Sequence, residues 1–82
     1  MLDQFVFEYP DFAKTSGVKT ALIVNDELGT WQSYAWIDGK NYVYIRQPGV
    51  IDDLSVPIKA ARDTWNELMR SGFRVVDKGF SL

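Results

Sequence analysis

The 82-residue chain contains neither cysteine nor histidine. The first absence excludes disulfides, thiolate metal sites and CxxC redox chemistry. The second excludes a Ser-His-Asp triad, an imidazole base and a histidine-ligated metal within one chain. No apolar run approaches the roughly 20 residues of a membrane-spanning helix. The first residues, Met1-Leu2-Asp3-Gln4, lack the basic and apolar regions of a signal peptide, so a cytoplasmic location is expected. Positive charge is also scarce. Nine Lys and Arg face eleven Asp and Glu, for a net charge of −2 and a pI near 4.8. A general nucleic-acid binder carries the opposite balance. The charge is uneven along the chain. Residues 1–55 hold four basic and eight acidic side chains, and residues 56–82 hold five and three.

The composition that remains is that of a folded protein. Apolar residues make up 46% and charged residues 24%, which argues against disorder. The length fits one domain, residues 1–82. A chain this short buries only ~60% of its unfolded surface, so self-association or a partner is a reasonable source of further stability.

The pattern along the chain predicts an α+β fold. Phe5-Val6-Phe7-Glu8-Tyr9 reads as a short strand ended by Pro10. Lys19–Asn25, Thr30–Ile37 and Asn41–Arg46 read as an antiparallel meander. Asp26–Gly29 is a turn with Gly29 at positive φ, and Asp38-Gly39 is a hairpin signal. A linker runs from Gln47 to about Leu54, with Ser55 as N-cap and Pro57 in the first helical turn. The helix continues to about Ser71, with Ile58, Ala61, Trp65, Leu68 and Met69 on one face. Gly72 is placed to end it, with Phe73 folding back. Arg74–Asp77 is a last short strand, and Phe80 is a possible anchor for the tail. The expected architecture is an antiparallel sheet of four or five strands with one helix across one face.

Twelve residues are aromatic, and several fall on the meander. The Asp38-Gly39 turn decides their faces. A two-residue turn pairs Ala35 with Tyr42 and Tyr34 with Val43, mixing aromatic and aliphatic groups on each face. A three-residue turn with Gly39 as bulge pairs Tyr34 with Tyr42 and Trp31 with Ile45. It segregates Trp31, Ala35, Val43 and Ile45 from Gln32, Tyr34, Trp36, Tyr42 and Tyr44. A one-residue slip exchanges faces, so only one register holds. The bulged turn is preferred, because one helix can then cover the aliphatic face. The candidate protein-binding surface is thus Gln32, Tyr34, Trp36, Tyr42, Tyr44 and Arg46. Tyr, Trp and Arg bury much area while keeping a polar handle. Two other uses compete. The aromatics can be core beneath an N-terminal segment with Phe5, Phe7 and Phe12, or platforms for nucleic-acid bases. Only Lys40 and Arg46 lie close enough to supply the charge the latter needs.

On the helix, Lys59, Arg62, Asn66 and Arg70 form a polar, largely basic stripe that Arg74 and Lys78 extend. Its ordinary role is a solvated face; its functional role is contact with phosphate or an acidic partner. Lys59, Arg62, Arg70 and Arg74 are the candidate nucleic-acid residues. Asp52-Asp53 with Asp38 or Asp26-Glu27 offers oxygen ligands without the spacing of a calcium loop. Asp63 and Glu67, one turn apart, read as solvated charges rather than an acid–base pair. No catalytic residue, metal or cofactor is expected.

Residues 61–73, Ala-Arg-Asp-Thr-Trp-Asn-Glu-Leu-Met-Arg-Ser-Gly-Phe, resemble a helix ending in Gly-aromatic found in small uncharacterised proteins of marine cyanobacteria and their phages. The match is Ala-Arg, then Trp, Leu and Gly-Phe, about a sixth of the chain. The resemblance implies a phage or bacterial origin rather than an activity. The expectation is a non-enzymatic binding or regulatory protein, active in the host cytoplasm if phage-encoded. Its partner is a host protein or a second copy of itself. Nucleic acid is the alternative partner, and no membrane is involved.

Overall fold

Strand formers in alternation, punctuated by glycine turns, set the architecture. A computed structural model describes residues 8–10, 17–50, 52–80 and 82. Its elements are β1 (Val18–Asn25), β2 (Thr30–Ile37), β3 (Tyr42–Arg46), β4 (Leu54–Pro57), α1 (Ile58–Arg70) and β5 (Arg74–Lys78). β1 to β4 run as an antiparallel meander, and β5 pairs antiparallel with β1. The sheet order is β4-β3-β2-β1-β5, so α1 carries the chain from one edge of the sheet to the other. This is the α+β fold expected. The strand predicted over Phe5–Tyr9 lies largely outside the described residues, as do Phe5, Phe7 and Phe12.

The β1–β2 turn forms as predicted. The Asn25 carbonyl accepts the Gly29 N–H at 2.9 Å, and the Asn25 side-chain oxygen accepts the Leu28 N–H at 2.9 Å. Gly29 takes φ 67°, a conformation that costs glycine little.

The β2–β3 connection departs from prediction. Lys40 N–H donates to the Ile37 carbonyl at 3.0 Å, and Gly39 has φ 89° while Asp38 does not enter positive φ. That is a type II turn, with glycine at its third position. A type II turn does not match the strand twist as the primed turns do. Asn41 extends the connection before pairing begins, and Tyr34 comes to lie opposite Ile45 and Ala35 opposite Tyr44. Neither predicted register is observed. The faces are mixed, as the two-residue turn implied, and the preferred segregated faces are overturned.

The second correction is β4. Leu54–Pro57, expected as linker and helix start, is a strand. It gives the backbone of β3 a ladder partner that the sheet edge otherwise lacks. Ser55 is therefore not the N-cap. Pro57 holds that position without a side-chain cap, and Ile58 donates its N–H to the Asn41 carbonyl of the sheet at 2.8 Å.

The helix buries Ala61 and Trp65 and half-buries Ile58, Leu68 and Met69, the face read from the sequence. Gly72, at φ 105°, ends it. Phe73 N–H reaches the Leu68 carbonyl at 3.2 Å and Gly72 N–H the Met69 carbonyl at 3.4 Å, a Schellman closure. Phe73 folds into the core.

The sheet is buried on both faces. Beneath α1 lie Ala21, Ile23, Tyr34, Val43 and Ile45 with Trp65 and Phe73. On the other face Leu22, Val24 and Trp31 pack with Tyr9 and Val76, and Pro10 is buried as well. Among the described residues no helix is long and apolar enough to cross a membrane.

The tail is anchored as suggested for Phe80. Gly79 N–H donates to the Thr20 carbonyl at 2.7 Å, which carries the chain back over the helix side. Phe80 then meets Trp36 with ring centroids 5.6 Å apart. A Cβ on Gly79 would collide with the Thr20 carbonyl oxygen, so the backbones would have to separate. Gly79→Ala is expected to destabilise the fold by about 1–3 kcal/mol, an overpacking cost. A lowered urea midpoint together with a changed near-UV aromatic signal checks it; an unchanged midpoint would show that the approach is not constraining.

Candidate protein-interaction surface

Cross-strand pairing decides which predicted site residues share a face. Paired residues lie on the same side of a sheet, and neighbours along a strand alternate. Gln32, Tyr34 and Trp36 therefore lie on the helix side, with Val43 and Ile45. Tyr42, Tyr44 and Arg46 lie on the opposite side, with Ser33 and Ala35. The single surface predicted from these six residues is split in two.

Tyr34 is a core residue at 0% exposure. Its ring meets Trp65 edge-on, centroids 5.2 Å apart at 66°. Its hydroxyl donates to Gln32 Oε1 at 2.7 Å, which satisfies the buried oxygen. Burial holds its phenol well above the usual tyrosine range. Gln32 is thus a hydrogen-bond acceptor for the core. Trp36 is half-buried and held on several sides. Its indole N–H donates to the Lys40 carbonyl at 2.8 Å, the Lys19 ammonium lies 5.8 Å from the ring centre, and Phe80 packs against it. Neither Tyr34 nor Trp36 belongs to an aromatic surface opposite the helix.

Arg46 is mostly buried, with its side chain 12% exposed. Nη1 donates to Asp53 Oδ1 at 2.7 Å, and Nε lies 3.7 Å from Glu8 Oε2. The guanidinium ties the end of β3 to the loop before β4 and to the N-terminal segment. These contacts engage Arg46 within the fold, on the face shared with Tyr42 and Tyr44.

What remains on the face away from the helix is Tyr42 and Tyr44. Two residues apart on β3, they project together, with ring centroids 5.6 Å apart at 83°. Both are half-buried. Their cross-strand neighbours on β4 are Pro57 and Ser55, both exposed. These small side chains put no bulky wall between the tyrosines and the edge of the sheet.

The basic stripe is exposed at Lys59, Arg62 and Arg70, yet two of its arginines are engaged. Arg62 Nε donates to the Leu82 carbonyl at 2.8 Å. Arg74 forms a fork on Asp26 at 2.6 and 3.1 Å, which lowers the Asp26 pKa and raises that of Arg74. Three of the four arginines thus meet acceptors of their own chain. Among the described residues no group of three or more Asp and Glu gathers to hold a metal. Asp26 and Asp53, both weighed as cation ligands, face Arg74 and Arg46 instead.

Two features escaped the sequence reading. One is β4, an edge strand of the sheet among the described residues, whose Leu54-Ser55-Val56 alternation was its only local signal. The other is a polar cluster on β5. Asp77 accepts from the Tyr9 hydroxyl at 3.1 Å and from the Thr20 hydroxyl at 2.9 Å, across 68 and 57 residues of sequence. No local pattern announces such a contact.

This cluster predicts a pH response. Burial, then the hydrogen bond and charge of Asp77, push the Tyr9 phenol from 10.0 up to about 12. A group whose pKa is raised on folding favours the folded state below its unfolded pKa. That contribution is lost as pH rises through the folded value. Stability should therefore fall between about pH 10 and pH 12. Tyr9→Phe should be less stable at neutral pH and should lose less over that interval. Urea midpoints from pH 8 to 12 check this; parallel curves for the two proteins would contradict it.

No protein-family model, no curated protein and no solved structure matches this chain.

Proposed function

We propose that the protein is a small non-enzymatic binding protein that works by protein–protein contact. The contact surface is the Tyr42–Tyr44 pair with the adjoining Ser55 and Pro57. The observation that carries this reading is the placement of two edge-on tyrosines opposite the helix and beside a sheet edge with small side chains. Tyrosine buries a large rigid area at low entropic cost and keeps a hydroxyl for the partner. Residues 1–55, which hold this pair, carry eight acidic against four basic side chains, a balance that favours a partner with a basic rim, because complementary charge steers encounter. The partner is a host protein if the chain is phage-encoded.

Nucleic-acid binding through Arg46 and the helix stripe receives less support. Arg46, Arg62 and Arg74 are committed to Asp53, the Leu82 carbonyl and Asp26. Releasing them for phosphate would cost the contacts they already make.

The test is a double substitution, Tyr42→Ala with Tyr44→Ala, in pull-down from a bacterial lysate. The wild-type chain should retain a specific partner, and the variant should lose it while still unfolding cooperatively. Truncating central aromatics of an interface typically costs ~2 kcal/mol or more, roughly 30-fold in affinity. Equal capture by both proteins, or collapse of the fold in the variant, would sink the proposal.

A further inference from the structure

The backbone of β4 shows which of its groups face away from the sheet. Tyr42 lies opposite Pro57, so continuing the register sets Asn41 opposite Ile58. Ile58 donates its N–H to the Asn41 carbonyl at 2.8 Å, which marks this as a hydrogen-bonded pair. Such pairs alternate along an antiparallel ladder. Val56, opposite Val43, and Leu54, opposite Ile45, therefore also direct their backbone groups toward β3. The N–H and C=O of Ser55 and the C=O of Pro57 point outward. Pro57 lacks its N–H where none would reach β3, a position where an edge strand tolerates proline.

Two further observations bear on this edge. Leu54 is 54% exposed although it lies on the helix side of the sheet, and Val56 beside it is only half-buried. The strand is also polar in its charge. Exposed Asp52 precedes it and exposed Lys59 follows it.

We propose that β4 pairs antiparallel with β4 of a second copy, about a two-fold axis through Ser55. Two five-stranded sheets then become one continuous sheet. Ser55 meets Ser55 of the second copy in a hydrogen-bonded pair, each N–H donating to the other's carbonyl. The axis keeps the helix faces on the same side, so Leu54 of each copy covers Val56 of the other. Antiparallel approach brings the Asp52 end of one strand to the Lys59 end of its mate, twice per dimer. Parallel approach would set like charges together. A four-residue edge ended by proline offers little to a long foreign strand. It offers these few bonds, repeated by symmetry, to a copy of itself. This inference does not depend on what Tyr42 and Tyr44 bind.

The experiment is sedimentation equilibrium of the full chain with substitutions that separate the outward face of β4 from its inward face. The wild type should sediment as a dimer. Ser55→Pro removes an outward N–H and leaves the β3 ladder intact. It should be monomeric, or roughly tenfold or more weaker in association, with its fold retained. Val56→Pro removes an inward N–H and should instead lower the unfolding midpoint. The chain has no cysteine, so Ser55→Cys gives one thiol per copy. Opposed Cα atoms in such a pair lie ~5.5 Å apart, within disulfide reach. Ser55→Cys should therefore cross-link under mild oxidation much faster than Leu28→Cys, a control at a 69% exposed position in the β1–β2 turn. The Tyr42→Ala, Tyr44→Ala protein should remain dimeric, which keeps this result separate from the partner reading. A monomeric wild type, or a Ser55→Cys rate equal to the control, would overturn the proposal. Faster cross-linking of Leu54→Cys would overturn the stated axis.

Discussion

The β2–β3 register, with Tyr34 set against Ile45, is the constraint from which the rest follows. Tyr34 lies under Trp65 at the middle strand of the sheet, and its buried hydroxyl needs a partner there. Gln32 does so from the same face of the same strand. A buried hydroxyl left without a partner would cost ~1–3 kcal/mol. Sliding β2 by one residue would turn Ser33 and Ala35 toward the helix and leave Trp65 facing a void. Once Tyr34 points inward, Val43 and Ile45 share its side, and Tyr42, Tyr44 and Arg46 must share the other. The position of the tyrosine pair is thus a consequence of the core.

The charges show the same economy. Arg46 with Asp53 closes the β3 end of the sheet, and Tyr9 and Thr20 meet on Asp77 across β1 and β5. These groups are at least partly buried, where removing one partner leaves an uncompensated polar group. The Arg74–Asp26 fork is exposed and contributes little by comparison. An arginine's position in sequence therefore says little about its availability. The stripe that looked basic on a helical projection is partly consumed by a tail and a turn that the projection does not contain.

Local chemistry made much of the fold legible. β1, β2, β3 and β5 were readable to within a residue of their ends, and the helix face and its Gly72 closure followed from spacing and one glycine. What could not be read were the decisions made by distant partners. Asp38-Gly39 correctly signalled a turn, but its type depended on how Asn41 serves Ile58. Ser55 has the chemistry of an N-cap, yet β3 needed a ladder partner and took the residues around it. The candidate surface inherited the first of these. A one-residue change in parity moved Tyr34 and Trp36 to the helix side, and ion pairing engaged Arg46. Tyr42 and Tyr44 kept their place because they sit on β3 itself, two residues apart.

The two edges of this sheet are not equivalent, and that asymmetry bears on how so small a domain meets others. β5 is guarded. It carries Arg74 and Lys78 at its ends, and its register shifts between Leu22 and Ile23, an irregularity of the kind that spoils a flat edge. β4 has no charge within the strand, exposes Leu54 and directs the Ser55 amide outward. A domain of this length buries a modest fraction of its surface, so an unguarded apolar edge is a liability unless something covers it. Pro57 limits the remedy to a short contact. It removes one outward donor and halts the strand, which restrains open-ended stacking while leaving the symmetric pairing at Ser55 intact. The Tyr42–Tyr44 pair lies one strand in from that edge. Dimerisation would therefore set two such pairs on one side of a shared sheet and give a partner two equivalent footholds. Joined by a rigid sheet, two weak sites act at high effective concentration.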